Sequence, residues 1–343
     1  MPVNNNLKKK EFPFPIKFDK GGSTEFKNNL ENIKIELVQA PRYEDIRESC
    51  IAFANATWKD KPMTVSDVSN AMQEKTKDKF MFHIFTNKIL PTTMETIKLT
   101  FLISGICLQE VTHILRYRRA VFSAECSGDK FLNDKDFVVP TSIENSAEFH
   151  ARYKKLCLEA KQLYMDMVDS KEISTQDARY IMPRSLETYY YMSISLKDAL
   201  IFIYDRIDKQ IQPQSDNIIA YGMMTEIVKQ YPLFAAIFTE DYIHRPADFY
   251  IKTARQYRST NWYSPDKDSD KFEYNEEDFV YGLRRRDFIL GTNLIKIDKF
   301  TQLQQIVVAT LNEAKRKLNE KYSDDFLRSD FTKEELSGFD SLL

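Results

Sequence analysis

The segment from His113 to Asp129, HILRYRRAVFSAECSGD, is the most unusual stretch of this 343-residue chain. It contains three arginines within four residues, Arg116, Arg118 and Arg119. They follow a predicted helix over residues 107–115, and Arg is suited to bidentate recognition of phosphate or carbonyl oxygens. A turn at Ser127 and Gly128 offers backbone N–H groups to an anion. The alternative interpretation is a solvated basic helix end that complements the helix dipole.

Glycine is scarce outside this segment. The chain has 8 glycines in 343 residues, about a third of the usual share of roughly 7%. No two of them have the spacing of G-x-G-x-x-G or G-x-x-x-x-G-K-[ST], so both glycine-built phosphate cradles are excluded. Any bound nucleotide must therefore be held by side chains. The net charge of -2 argues against a dedicated nucleic-acid binder.

The distribution of Cys and His residues and the hydropathy of the chain indicate the cellular compartment. The four Cys and four His are scattered, with no C-x-x-C pair, so we expect neither a disulfide framework nor a zinc site. The longest apolar run covers about ten residues from Leu99 to Leu108, whereas a membrane-spanning helix needs roughly 20. The first residues lack a signal-peptide pattern. These features predict a cytoplasmic protein that does not enter a membrane.

Strands are predicted early in the chain and helices later. Alternation over Ile33–Leu37 predicts a half-buried strand, a helix follows Pro41, and apolar content favours further β-structure over Phe80–Phe85 and 97–103. Later helices are predicted from apolar spacing and proline positions at 107–115, 149–167, 174–182, 196–211, 217–230 and 299–322. A polar loop is expected over 259–278. This order predicts an α+β fold.

Two further arginines lie in apolar surroundings. Arg179 precedes a short apolar run that ends at Pro183, and Arg206 lies within the apolar helix predicted over 196–211. Because burying an unpaired charge is costly, Arg206 needs an anionic partner. That partner is either a bound anion or a neighbouring carboxylate, Asp198 or Asp205.

The order of these motifs resembles the flavin-dependent thymidylate synthases, whose signature is R-H-R-x-x-S followed by S-x-R. The similarity runs from about Ile33 to Pro232 and divides the chain into a polar arm (1–32), a synthase-like domain (33–232) and a helical C-terminal extension (233–343). It implies an antiparallel sheet flanked by long helices. It also implies a homotetramer that binds FAD and dUMP between subunits.

The resemblance assigns one set of residues to the nucleotide, namely His113, Arg116, Glu125, Ser127, Gly128, Arg179 and Arg206. Arg206 matches the helix arginine that touches the pyrimidine, and its implied catalytic role is to stabilise negative charge on the ring. His113 stands where the family has a glutamine. Asp129 stands where the family has an arginine for the nucleotide phosphate, and only Lys130 is nearby to compensate. We interpret Ser127 as a hydroxyl that hydrogen-bonds rather than as a nucleophile.

A second set is assigned to the flavin, namely Thr92, Glu95, Arg116, Tyr117, Arg118, Ser195, Lys197 and Ile201. Several positions depart from the family pattern. Tyr117 replaces the signature histidine, Ser195 and Lys197 replace an asparagine and an arginine, and Ile201 replaces another asparagine. No metal is implied.

The implied reaction moves a one-carbon unit from methylenetetrahydrofolate, through reduced flavin, to C5 of a pyrimidine deoxynucleotide monophosphate, with NADPH as reductant. We expect dUMP as substrate, and no enzyme nucleophile is required. Tyr117 and Asp129 motivate a first alternative, the same chemistry on dCMP as a hydroxymethylase. Ile201 motivates a second, a non-catalytic paralogue used for binding or assembly. Two further patterns are interpreted as surface or packing features, Tyr189–Tyr191 as packing or subunit interface and Arg284–Arg286 as a solvated face.

Overall fold

The computed structural model describes residues 24–57, 60–86, 89–127, 131–207, 214–238 and 298–340. Five features singled out above lie outside these ranges: Gly128, Asp129, Lys130, the predicted loop at 259–278 and the Arg284–Arg286 run.

The described residues form six strands and thirteen α-helices. The strands are β1 Phe26–Asn28, β2 Lys34–Gln39, β3 Lys98–Cys107, β4 Ala120–Ala124, β5 Phe137–Val139 and β6 Glu187–Ser195. The helices that begin before residue 150 are α1 Asn29–Asn32, α2 Tyr43–Asn55, α3 Val65–Ala71, α4 Glu74–Phe85, α5 Leu108–Ile114, α6 Thr141–Glu144 and α7 Ala147–Ser170. The remaining helices are α8 Thr175–Ala178, α9 Leu196–Arg206, α10 Gln214–Gln230, α11 Asp298–Lys321, α12 Asp324–Arg328 and α13 Lys333–Asp340. Three 3₁₀ turns cover Pro91–Thr96, Arg179–Ile181 and Pro232–Ala236.

The α+β fold with an antiparallel sheet is confirmed. Strands β2, β3, β6 and β4 form it in that order, and β1 pairs with β5 in parallel beside it. A bulge interrupts β3 at Gly105, whose φ is +70°. A Cβ there would lie 2.0 Å from the backbone oxygen of Asn32, so both the left-handed conformation and the close approach require glycine.

Among the described residues, one face of the sheet at β6 is covered by the core and the other is open. Its side chains alternate, with Tyr190 and Met192 buried in the main core. Tyr189 and Tyr191 lie on the other face, where their rings meet edge to face at 6.3 Å. On the neighbouring strand β4, Val121 has 74% of its surface exposed. The open face therefore keeps apolar side chains accessible.

The predicted β-structure over Phe80–Phe85 is wrong, because these residues form the last turns of α4. Every residue from Thr76 to Phe85 is buried. The C-terminal helices cover the side of α4 that would otherwise face solvent: Lys79 Nζ contacts Glu335, and His83 Nε2 lies 3.1 Å from the oxygen of Leu327. A helix buried all round has no polar stripe and resembles a buried strand in sequence.

The other predicted elements in the described ranges are confirmed, with shifts at their ends. The strand predicted at Ile33–Leu37 is β2, and α10 and α11 match the helices predicted near 217–230 and 299–322. Helix α9 ends at Arg206, and residues 208–213 lie outside the described ranges. None of the described helices is long and apolar enough to cross a membrane.

Candidate functional site

Arg206, His113 and Asp216 meet where α9, α5 and α10 come together. Arg206 Nη1 donates to Asp216 Oδ2 at 2.8 Å, and His113 Nδ1 lies 2.8 Å from the same oxygen. The Asp216 side chain is fully buried, whereas His113 is about one-third exposed. The carboxylate therefore anchors a nearly buried guanidinium and a partly accessible imidazole at one point.

The geometry also determines which ring nitrogen of His113 carries the proton. Because Asp216 Oδ2 is an acceptor, His113 Nδ1 carries the proton and donates to it. Arg206 Nη1 also lies 3.4 Å from His113 Nδ1, but a protonated Nδ1 cannot accept from it, so the two donors converge on Asp216. Nε2 of His113 is the ring nitrogen left for a ligand. The anionic partner of Arg206 is thus a residue of the next helix.

Two other buried titratable groups, Tyr190 and Glu110, lie close enough to Asp216 for its charge to affect their pKa values. Burial raises the pKa of the Tyr190 hydroxyl well above its ordinary value, and the charges of Asp216 and Glu110 add to this effect. Burial also raises the pKa of Glu110, although hydrogen bonds from Cys107 oppose the increase. Both shifts follow from the low effective dielectric around Asp216. In this environment the Arg206–Asp216 contact is stronger than a surface ion pair.

A second group lies at the start of β6. Arg179 Nη1 is 3.4 Å from Ser127 Oγ. The buried carboxylate of Glu125 accepts from Lys135 Nζ at 2.6 Å and from Thr188 Oγ1 at 3.1 Å. The structure thus brings three predicted nucleotide residues together. It also places a cation, Lys135, beside Glu125.

A third group lies at the start of α9. Lys197 Nζ pairs with Glu95 Oε1 at 2.6 Å, which joins two predicted flavin residues. Ser195 Oγ is already used as the N-cap, because it accepts from the backbone N–H of Asp198 and donates to its carboxylate. Tyr117 donates its hydroxyl to the backbone oxygen of Asp198. Ser195 and Tyr117 therefore have structural contacts here, and their roles toward flavin stay predictions.

The remaining predicted residues differ in exposure. Arg116, Arg118 and Thr92 are exposed, and Ile201 is half-buried. Among the described residues, Arg116 and Arg118 form no ion pair, whereas the neighbouring Arg119 binds Asp198 at 3.3 Å. Within the described part of the chain, these two guanidinium groups are therefore exposed and not engaged in an ion pair.

The scaffold sets the spacing of these groups. Lys197 and Arg206 lie at opposite ends of α9, nine residues apart, which is about 14 Å along the axis. Thr188 and Ser195 lie near opposite ends of β6, about 23 Å apart along the strand. The Glu125 group and the Lys197 group therefore lie near opposite ends of β6.

Two residues of these groups were not predicted from the sequence, Asp216 and Lys135. Asp216 is an acid in the first turn of the otherwise apolar helix α10, and the burial of Arg206 already required an acid. That signal was present in the sequence. Lys135 is brought to Glu125 by tertiary contacts across ten residues, for which no local pattern exists. No group of three His, Cys, Asp or Glu side chains among the described residues is placed to hold a metal ion.

Comparison with known proteins identifies a family and several relatives. The model of the family described as "Thymidylate synthase complementing protein" (Thy1) matches residues 37–233. The chain is 28% identical over 141 residues to the flavin-dependent thymidylate synthase of Thermococcus onnurineus (strain NA1), covering 40% of this chain and 56% of that protein. It is 26% identical over 142 residues to the enzyme of the same name from Pyrococcus furiosus, covering 40% and 57%. The chain thus spans just over half the length of these curated relatives.

A solved structure is also similar. It is the crystal structure of a UMP/dUMP methylase, PolB from Streptomyces cacaoi, bound with 5-Br dUMP. The match has 16% sequence identity and a TM-score of 0.48, and it covers 61% of this chain and 94% of that one.

Proposed function

This chain belongs to the thymidylate synthase complementing protein (Thy1) family, and from that membership we propose that it transfers a one-carbon unit from methylenetetrahydrofolate to C5 of dUMP, with FAD as cofactor and NADPH as reductant. The flavin-dependent thymidylate synthases among its relatives support this reaction class. The observation that carries the proposal is the anchoring of Arg206 by the buried Asp216.

The role of Arg206 follows from that geometry. For C5 to act as the nucleophile toward the one-carbon unit, electron density must build up on the pyrimidine ring and its carbonyl oxygens, and a fixed guanidinium stabilises such charge without reorganising. Asp216 holds Arg206 in place and also orients His113, whose Nε2 is free to hydrogen-bond the base. Arg179 and Lys135 supply positive charge for the nucleotide phosphate, and Ser127 supplies a hydroxyl donor.

The residues at the start of α9 fit FAD by their chemistry. Bound flavin would carry the one-carbon unit and the reducing electrons. Its diphosphate needs cations, and Arg116, Arg118 and Lys197 supply them on the exposed side of the fold. Glu95 holds Lys197 in position. The half-buried Ile201 offers an apolar surface rather than a hydrogen bond.

The separation of these groups supports a site shared between subunits. Glu125 of the phosphate-side group contacts the start of β6, and Lys197 of the flavin-side group follows its end, about 23 Å away along the strand. A nucleotide stacked on flavin needs both, so a second copy would supply one of them. We accordingly propose a homo-oligomer, a tetramer as in the family it resembles, located in the cytoplasm.

The first experiment on this proposal measures flavin binding by the protein and the mass of the nucleotide product. We expect the purified chain to bind FAD, giving a yellow protein whose flavin is released on denaturation. Incubation with dUMP, methylenetetrahydrofolate and NADPH should then yield a nucleotide heavier by one methyl group. A colourless protein that takes up no added FAD would support the non-catalytic alternative and reject the enzyme.

A second candidate reaction keeps the flavin and takes dCMP. The observation that favours it is the pair His113 and Asp216, because an imidazole held by a carboxylate presents a different hydrogen-bonding edge from the family's glutamine. The same assay with dCMP in place of dUMP separates the two. Product mass also distinguishes a methyl from a hydroxymethyl group.

Replacing Asp216 tests whether it positions Arg206. We expect Asp216→Asn to lower kcat about tenfold to a hundredfold with a smaller change in KM, because the guanidinium loses its charged anchor. The decisive measurement is a double-mutant cycle, in which Asp216→Asn costs little further activity in an Arg206→Lys background. Asp169→Asn, an exposed acid at the end of α7, serves as the control. Independent, additive losses would show that Asp216 is only structural.

A further inference from the structure

Helix α7 carries an apolar stripe that no described residue covers. Its inner face is buried through Cys157 and Tyr164. Phe149, Leu156 and Leu163 lie about a quarter turn around the helix from that face, with 59%, 65% and 42% of their surfaces exposed. Residues seven apart lie on the same side of a helix, about 10 Å from one another. Three large apolar groups in one line are typical of an interaction surface.

The charges that flank the stripe are unequally distributed along α7. Arg152 and Lys155 lie in its first half, and Glu159 and Asp166 lie in its second half, all of them exposed. Within the helix, Arg152 contacts Glu148 at 3.4 Å, and Lys155 contacts Glu159 at 3.8 Å. Exposed pairs of this kind contribute little, so they do not prevent other pairings. The helix is basic at its start and acidic at its end.

We propose that this stripe is an interface with a second copy of the chain, with the two α7 helices antiparallel about a two-fold axis at Leu156. In that register Leu156 meets the partner's Leu156, and Phe149 meets the partner's Leu163. Arg152 lies opposite the partner's Glu159, within one residue of helix rise. A two-fold interface must be self-complementary, and the stripe satisfies this in both shape and charge.

A turn that packs against α7 also carries exposed apolar side chains. The 3₁₀ turn Arg179–Ile181 packs against α7, and Tyr180 and Ile181 on it are 84% and 38% exposed. This adds aromatic area, which is enriched at interfaces. The interface would lie beside the Arg179 end of the candidate site. The proposal does not rest on the proposed reaction, because it concerns the mass of the assembly.

Cysteine cross-linking tests the register. In a Cys126→Ser background, which removes the exposed thiol, Leu156→Cys should form an inter-subunit disulfide under mild oxidation. Packed helices 8–10 Å apart bring facing Cα atoms within the 4.4–6.8 Å that a disulfide requires. The matched control is Leu158→Cys, which is also exposed on α7 but lies off the stripe. Equal cross-linking of both variants, or of neither, would overturn the proposal.

Charge reversal tests the pairing. Arg152→Glu or Glu159→Arg alone should lower the yield of the Leu156→Cys cross-link about tenfold, since two repulsive contacts replace two attractive ones in each dimer. The double exchange Arg152→Glu with Glu159→Arg should restore the yield. Failure of the double exchange to recover it would overturn the antiparallel arrangement. These readouts use the full chain without substrate, so a protein that cross-links but lacks turnover would reject the proposed function alone.

Discussion

Replacing Arg206 is expected to abolish most of the proposed turnover while leaving flavin binding intact. Arg206→Ala should lower kcat by about 10³, and Arg206→Lys by about 10², because the lysine keeps the charge but loses the planar fork that holds a carbonyl. Flavin occupancy should not change, since Lys197, the flavin-side cation on α9, lies about 14 Å away at the other end of that helix. Steady-state product formation and the flavin absorbance of the same samples measure both quantities.

The lysine variant also protects the test against misfolding. Arg206→Ala leaves the buried carboxylate of Asp216 without one of its two donors, which carries a cost in stability. Arg206→Lys retains a cation there. Arg42→Ala, which removes an exposed arginine just before α2, is the matched control. Turnover and flavin content falling together, or turnover unchanged in both Arg206 variants, would contradict the assigned role.

The sequence was informative about Arg206 because of a simple physical requirement. An arginine among apolar residues must find an anion, and this alone singles it out. The identity of the anion was not predictable in the same way. Asp198 is used at the start of α9, where it binds Ser195 and Arg119, and Asp216 of the following helix takes the role instead. Local spacing could not choose between acids that tertiary packing brings together.

The secondary structure shows the same contrast between what local sequence predicts and what tertiary packing decides. Helices α7 and α10 were predicted because their apolar residues recur at helical spacing. Strand β6 was not predicted, although Thr188, Tyr190, Met192 and Ile194 alternate with more exposed residues. Helix α4 was mistaken for β-structure, because both of its sides are buried. The covering side comes from helices some 250 residues later in the chain, and their presence leaves no mark on the local sequence.

The largest effect on stability is expected at Asp78 of α4, which is almost fully buried where the C-terminal helices dock. Its Oδ1 accepts from Arg47 at 3.0 Å and from Tyr43 at 2.9 Å. Its Oδ2 accepts from Lys321 at 3.2 Å and from the hydroxyl of Tyr322. Four donors, two from α2, one from the end of α11 and one from the residue that follows it, thus meet on one carboxylate. Removing one partner of such a buried network leaves an uncompensated charge on the others.

We therefore expect Asp78→Asn to lower the free energy of unfolding by about 3 kcal/mol at neutral pH, measured by urea denaturation followed by circular dichroism. Glu313→Gln breaks an exposed acid–arginine contact on α11 and should leave the unfolding midpoint unchanged. Equal stability of the Asp78 variant and the wild-type chain would show that the docking contacts contribute little to folding.

The pH dependence provides an independent test of the same network. Burial alone would raise the pKa of Asp78, but hydrogen bonds from Tyr322, Arg47 and Tyr43 and the charge of Lys321 outweigh it, so the folded pKa lies below its ordinary value. A carboxyl with a lowered pKa stabilises the fold above its unfolded pKa, near 4, and loses this contribution as the pH falls through the folded pKa. The difference in unfolding free energy between wild type and Asp78→Asn should therefore narrow as the pH falls below about 4. A difference that stays constant over that range would mean that packing, rather than the charge, connects α4 to the C-terminal helices.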